Sequence, residues 1–257
     1  MIEIRPIEHS EAGTFLKVLC TVFSLDFDRA STVFFTEPMF DLRRKWGLFD
    51  GGRMVSVLTT TPLQFGWGNA IGIAGVATLA DARGRGLAGQ LMQRVLDVAG
   101  LNNEGAAVLF AQNTPLYERI GFEITDRVVR GIIRREDPPS GPEEVTSVRV
   151  RQTYQQWADA SPARLQRDAR RWRYWDWGYR LAEGAPGGYL SFEGSLVREA
   201  IITPNLAAWN VPPDTEWLGL QSMTEEMGVP LVSRQLELNL MTRGFPHRPE
   251  MFMTDQF

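Results

Sequence analysis

The run from Gly75 to Gly89, Gly-Val-Ala-Thr-Leu-Ala-Asp-Ala-Arg-Gly-Arg-Gly-Leu-Ala-Gly, constrains this chain more than any other. It begins in an apolar, small-residue stretch over 71–79 that reads as a central strand, and it ends by opening a helix from about Gly86. Leu87, Leu91, Val95 and Val98 share one face of that helix, joined by Ala88, Met92 and Ala99, and Gly100 is the expected stop. The first N–H groups of a helix have no intrahelical acceptor and point outward. The helix dipole adds positive potential there. Gly84, Gly86 and Gly89 let backbone approach a ligand closely, and Arg83 and Arg85 can add charge-assisted hydrogen bonds. The run therefore reads as a pyrophosphate cradle, with a basic, glycine-rich turn that binds nothing as the alternative. The Lys-Ser/Thr of a Walker loop is missing, and neither the glycine spacing nor the preceding hairpins suit a Rossmann start.

The flanking sequence gives the cradle a setting. Ile2 and Ile4 alternate with Glu3 and Arg5 in a short opening strand. Ser10 is the expected cap of a helix whose buried stripe is Phe15, Leu16, Leu19, Val22 and Phe23. Residues 24–44 read as short helices. Asp50-Gly51-Gly52 marks a hairpin between strands at 46–49 and 54–61, and Trp67-Gly68-Asn69 marks the next turn. After the helix, 107–110 reads as a buried strand parallel to the one at 71–79, Tyr117 falls in a short helix, and 122–133 is a strand or strand pair. The fold class is α/β (α+β), a mixed sheet flanked by helices.

Glu136-Asp137-Pro138-Pro139-Ser140-Gly141-Pro142 has a linker's composition. It divides the chain into residues 1–136 and a smaller α/β unit over 144–257. That second unit reads as a strand at 145–150, helical stretches to about 181, strands near 189–192 and 196–202, a helix at 214–227 and a strand near 236–241.

Composition excludes several classes. Cys20 is the one cysteine, so no intrachain disulfide forms, and with two histidines no zinc-ligand spacing is present. A net charge of −4 gives no nucleic-acid footprint. The N-terminus lacks the pattern of a signal peptide, and the longest apolar stretch, 71–80, is too short to span a bilayer, so the expected location is the cytoplasm.

Arg83-Gly84-Arg85-Gly86-Leu87-Ala88 resembles the coenzyme-A signature of the GNAT acetyltransferases. Val76-Ala77-Thr78 before it resembles their splayed strand, and Pro115-Leu116-Tyr117-Glu118-Arg119-Ile120-Gly121-Phe122 resembles their Tyr-Glu-x-x-Gly-Phe landmark. The match covers roughly residues 1–135. It implies acetyl-CoA as co-substrate, with no metal, and transfer of its acetyl group by direct attack of a primary amine carried on a small molecule or peptide. The phosphates would rest on the N–H groups of Arg83, Gly84, Arg85, Gly86, Leu87, Ala88 and Gly89. Val76, Ala77 and Thr78 would hold the pantetheine, and Tyr117 would be the general acid. A packed aromatic is the alternative for Tyr117, and a non-catalytic acyl-CoA-binding regulatory or interaction module is the alternative for the whole. No nucleic-acid or membrane partner is implied, and assembly into a homo-oligomer stays open.

The order of the two units is similar to the enhanced-intracellular-survival type within that family, in which a degenerate GNAT-like segment without a coenzyme site follows the first domain. That group's larger members add a third, sterol-carrier-like domain that 257 residues do not hold. In the group the terminal carboxylate can serve as base. This resemblance makes Phe257 a catalytic candidate near Tyr117, with an unanchored tail as the alternative. Glu37, Asp41 and Glu118 are further base candidates, with solvated surface acids as the alternative, and Phe27, Phe34, Phe35, Trp46 and Trp67 are candidates for the acceptor pocket, with core packing as the alternative. Arg167 to Trp177 interleaves arginines with tryptophans. It reads as an amphipathic helix with Leu165, Ala169, Trp172, Trp175 and Tyr179 buried and the arginines on its rim, the alternative being a nucleic-acid-binding surface.

Overall fold

In the first hairpin, residues 46–49 and 54–58 are free of polar side chains but for Ser56, and each of the two strands feeds two cores. Leu48 and Phe49 are neighbours on one strand, yet Leu48 enters the cluster under the 87–101 helix and Phe49 the cluster under the first helix. The computed structural model describes residues 1–134, 143–178, 181–185, 187–203, 209 and 211–257. The expected linker at 136–142, and Tyr179, lie outside the described residues.

The elements run β1 (Ile2–Pro6), α1 (Ala12–Phe23), α2 (Phe27–Phe34), β2 (Lys45–Asp50), β3 (Arg53–Phe65), β4 (Gly68–Thr78), α3 (Leu87–Leu101), β5 (Ala106–Ala111), α4 (Pro115–Glu118) and β6 (Glu123–Ile132). They continue as β7 (Glu143–Glu144), α5 (Ser147–Asp159), β8 (Leu165–Gln166), α6 (Ala169–Gly178), β9 (Leu181–Ala185), β10 (Gly188–Glu193), β11 (Leu196–Ile201), β12 (Glu216–Leu220), α7 (Gln221–Glu226) and β13 (Gln235–Arg243). Short 3-10 turns lie at His9–Glu11, Leu42–Arg44, Ala80–Ala82 and Met253–Asp255. No helix of the described residues is long and apolar enough to cross a membrane.

The strands join one mixed sheet in the order β1-β2-β3-β4-β5-β13-β6-β12-β11-β10-β9-β7, with β8 paired to β3. β4 and β5 are parallel and are connected through α3. β13, from the far end of the chain, lies antiparallel between β5 and β6. The sheet thus runs across the division expected between 136 and 144.

Four local expectations are corrected. Residues 145–150 hold no strand: the Thr146 hydroxyl accepts from the Arg149 N–H at 3.2 Å and caps α5. Val150, Tyr154, Trp157 and Ala158 are then buried at helical spacing. In place of a helix over 214–227, β12 is followed by the short α7, because Trp217, Leu218 and Leu220 are buried in a strand between β6 and β11. Ser10 does not cap α1; the Glu11 carboxylate instead accepts from the Glu8 N–H at 2.7 Å. Gly100 lies inside α3, which closes at Asn102, followed by Asn103 in the left-handed region at φ 60°.

Candidate active site

β4 and β5 pair only from Ala70 to Ile73 and from Ala106 to Leu109. Past that point β5 stays bonded to β13, up to Asn239 opposite Ala111, while β4 stays with β3. The two parallel strands therefore part, and a cleft opens between their C-terminal ends. A bulge sharpens the parting. Three steps on β4, from Ala74 to Ala77, face two on β3, from Thr59 to Val57. Gly75 sits in this extra turn at φ +60°, a backbone state that side-chain-bearing residues rarely adopt. Within the bulge, Val76 lines the cleft. Ala77 turns into the α1 core at 1% exposure, with its carbonyl accepting from the Ser56 hydroxyl at 3.0 Å. Of the three expected strand residues, Ala77 is the one whose side chain faces away from both cavities described below.

The Gly/Arg loop lies where expected. Gly84 and Gly86 take φ +76° and +71°, and α3 begins at Leu87. The Arg83 N–H is already used, donating to the Ala80 carbonyl at 3.3 Å. Among the described residues, no hydrogen bond is donated by the backbone N–H groups of Gly84, Arg85, Gly86, Leu87, Ala88 and Gly89. A Cβ at Gly84, Gly86 or Gly89 would meet nothing within 4 Å. All residues from Gly84 to Gly89 but Arg85 wall a hollow of about 240 Å³, together with Thr78, Ala82, Arg83 and Leu116. The arginines have local duties too. Arg83 Nε donates to the Thr78 carbonyl at 3.0 Å, and Arg85 pairs with Asp50 at 2.8 Å on the surface.

A second cavity, of about 390 Å³, occupies the cleft itself. Tyr117 and Phe257 both line it, along with Gly75, Val76, Phe110, Asn113, Leu238 and Phe23. The two hollows share their supports: Val76 and Thr78 come from one strand, and Leu116 and Tyr117 from one turn of α4. Burial pushes the Tyr117 phenol above its usual value, so it stays protonated at neutral pH. Its ring sets edge-on to Phe122 at 6.4 Å, and its hydroxyl has no hydrogen-bond partner among the described residues. The Phe257 ring lies 5.6 Å from that of Phe110.

The other candidates lie elsewhere. Glu37 pairs with Lys45 at 3.2 Å. Asp41 pairs with Arg43 at 3.2 Å; burial raises its carboxyl, but hydrogen bonds and charge from Arg43 outweigh this and leave it lowered. Glu118 is exposed on the turn that carries Tyr117. None of the three lines the cleft. Phe34 and Trp46 are core, Trp67 stacks on Phe65 at 5.6 Å, and neither Phe27 nor Phe35 reaches the cleft. Besides Tyr117 and Phe257, the aromatics there are Phe110 and Phe23, the expected end of a buried stripe, which is 48% exposed. Alternation along β5 places Leu109 in the α3 core and Phe110 on the other face, a signal the sequence carried. A larger cavity of about 520 Å³, lined by Arg43, Arg44, Arg94 and Val98 among others, contains neither the loop nor Tyr117, so size does not identify the site.

Residues 3–125 match the model of the acetyltransferase (GNAT) domain. No curated protein matches the chain in sequence. Among solved structures, a GCN5-related N-acetyltransferase from Kribbella flavida superposes with a TM-score of 0.73 at 17% identity, over 94% of this chain and 70% of that one. A GCN5-related N-acetyltransferase from Anabaena variabilis gives 0.68 at 15% identity, over 95% and 72%. Eis1 from Mycobacterium abscessus gives 0.62 at 15% identity, over 93% and 73%. At these identities the likeness is one of fold, and it extends through both halves of the chain.

Proposed function

For a chain whose residues 3–125 form an acetyltransferase (GNAT) domain, we propose an N-acetyltransferase that moves an acetyl group from acetyl-CoA to a primary amine of a small molecule or peptide. One observation carries this reading. The cleft holding Tyr117 and Phe257 stands beside a hollow walled by Gly84, Gly86, Leu87, Ala88 and Gly89, residues whose backbone N–H groups bond to nothing else in the described protein.

The residues fit the coenzyme. Six consecutive N–H groups without an acceptor, leading into the first turn of α3, suit a diphosphate, which needs many acceptor oxygens satisfied at once. The expected set was Arg83 to Gly89; with the Arg83 N–H engaged by Ala80, the donors are those from Gly84 to Gly89. The unpaired edge of β4 from Val76 to Thr78 is available to an extended pantetheine amide chain, which would add to the sheet as a strand does. Backbone N–H groups there would also polarise the thioester carbonyl.

The proton transfers fall to this chain's side chains and terminus. Tyr117 donates to the departing thiolate. A phenol near 10 outlasts a thiol near about 8.5, and burial of Tyr117 widens that gap. The Phe257 carboxylate takes the proton released by the attacking amine. Its place on the cavity of Tyr117 supports this reading over Glu37, Asp41 and Glu118, which are absent from that cavity.

The experiment is a thiol-release assay with acetyl-CoA against a panel of primary amines, comparing wild type, Tyr117→Phe and a chain extended beyond Phe257. Turnover in wild type and loss in both variants is expected. Binding of acetyl-CoA without turnover of any amine would make the chain a binding module. Wild-type turnover in the extended chain would remove Phe257 from the mechanism.

A further inference from the structure

The arginine- and tryptophan-rich helix finds no use in acyl transfer, and its arginines depart from expectation. Arg167 and Arg171 are not on a rim: their side chains are 0% and 4% exposed, while Ala169, expected inside, is exposed. Both arginines reach the last residues of the chain. Arg167 grips Asp255 with two parallel bonds, Nε to Oδ1 at 2.8 Å and Nη2 to Oδ2 at 2.7 Å. It also holds Glu199 of β11, through Nη1 at 3.2 Å and Nη2 at 2.6 Å, and donates to the Thr254 hydroxyl at 2.9 Å. Arg171 donates to the Asp255 carbonyl at 3.1 Å and, from its other Nη, to the Pro62 carbonyl of β3 at 3.3 Å.

Further side chains bond to these groups. Glu199 accepts from Trp175 Nε1 at 3.2 Å and from the hydroxyls of Tyr189 and Thr254. Tyr154 donates to Asp255 at 3.3 Å, and its ring lies 3.8 Å from the Arg167 guanidinium carbon. Arg170 ties the same helix to the Pro38 and Phe40 carbonyls at 3.0 Å each. A buried ion cluster contributes little net stability compared with apolar residues of the same size, because desolvation consumes most of the attraction. What a saturated cluster supplies is geometry: each bidentate contact fixes an angle as well as a distance. Here the fixed object is the backbone at 254–255. Phe257 follows two residues later, within about 7 Å of chain, and lies in the cleft of Tyr117.

We infer that Asp255, clamped by Arg167 and braced through Arg171 against β3, is a positioning residue that holds Phe257 in register with Tyr117. This rests on the reading that Phe257 acts in that cleft. Asp255 touches neither the cleft nor Tyr117, and acts only by where it puts the tail.

The test is Asp255→Asn in the full chain, with two readouts. Hydrogen exchange of the 252–257 segment reports tail order without reference to activity. Thiol release reports kcat and the KM for acetyl-CoA separately. The expected result is faster exchange confined to the tail and a kcat lowered about tenfold to a hundredfold, as for a misaligned reacting group, with KM for acetyl-CoA held within about twofold. In a chain already extended beyond Phe257, the same substitution should lower kcat no further. Unchanged tail exchange and unchanged kcat would overturn the proposal, as would an equal loss in both backgrounds, which marks a structural role only. If the extension alone leaves kcat at the wild-type value while Asp255→Asn loosens the tail, the base assignment fails and the clamp stands. Should Asp255→Asn fail to fold, Thr254→Val removes the hydroxyl that links the tail to both Arg167 and Glu199, keeps the Asp255 contacts, and is judged by the same readouts.

Discussion

The ring of Phe257 lies against the backbone of Gly72 on β4, so closely that a Cβ built on Gly72 would come within 2.5 and 2.6 Å of two ring carbons. No real Cβ sits at such a distance, so β4 carries a glycine where the tail docks. Gly72→Ala is expected to displace the tail and leave the sheet paired, since the strand keeps its backbone bonds to β3 and β5. Turnover should fall about tenfold or more, as for a displaced reacting group, with acetyl-CoA affinity retained. Kinetics beside tail hydrogen exchange checks this; wild-type values in both would mean that the ring does not need this seat.

Tyr117→Phe removes one hydroxyl from a side chain whose ring packs on Phe122. Fold and coenzyme affinity should persist, and kcat should drop by about a hundredfold, the lower end of general-acid effects. Because burial raises the phenol, wild-type kcat should show no loss of the acid form up to a pH of about 10. A pH–rate profile of wild type and variant reads both features.

Arg167→Met strands two buried carboxylates, Glu199 and Asp255, both with 0% side-chain exposure. Removing one partner of a buried pair costs about 3–5 kcal/mol, since the remaining charges have no water to turn to. Urea unfolding should register that loss. A change under about 1 kcal/mol would contradict a charge cluster sealed from water.

Tyr154 and Tyr189 give stability an alkaline limit. Burial pushes both phenols well above their usual value; the charge of Arg167 offsets part of this at Tyr154, and that of Glu199 adds to it at Tyr189. Folded values above unfolded ones mean that unfolding releases protons once pH passes the unfolded phenol value of about 10. The protein should hold its stability below that pH and lose it progressively above. Of five tyrosines, these two should develop tyrosinate absorbance only as the chain unfolds.

Much of the site was legible in sequence because its chemistry is local. The run from Gly75 to Gly89 encodes its own strand, turn and helix start, and Pro115 to Phe122 encodes the turn that carries Tyr117. The hairpin at Gly51-Gly52 and the stripe of α3 were equally local. What escaped depends on partners far along the chain. β13 reads as a strand, but nothing in 235–243 says that it lies between β5 and β6, with Thr242 opposite Val108. Arg167 and Arg171 look like solvated charges until Asp255 and Glu199 are brought beside them. The strand expected at 145–150 failed because the Thr146 cap and the burial of Tyr154 and Trp157 outweighed the local valines.

In the proposed reaction the free amides from Gly84 to Gly89 hold the coenzyme's pyrophosphate and so aim its thioester at Tyr117. Gly89 offers a clean probe, since it sits in the first turn of α3 with open space where a side chain would go. Gly89→Glu should leave the fold intact, or stabilise α3 by up to about 1 kcal/mol as glycine gives way to a helix former, while placing a carboxylate where the phosphates rest. Calorimetric titration with acetyl-CoA should show one saturable site in wild type and none in Gly89→Glu at equal thermal stability. Equal binding by both proteins, or none by wild type, would contradict the account.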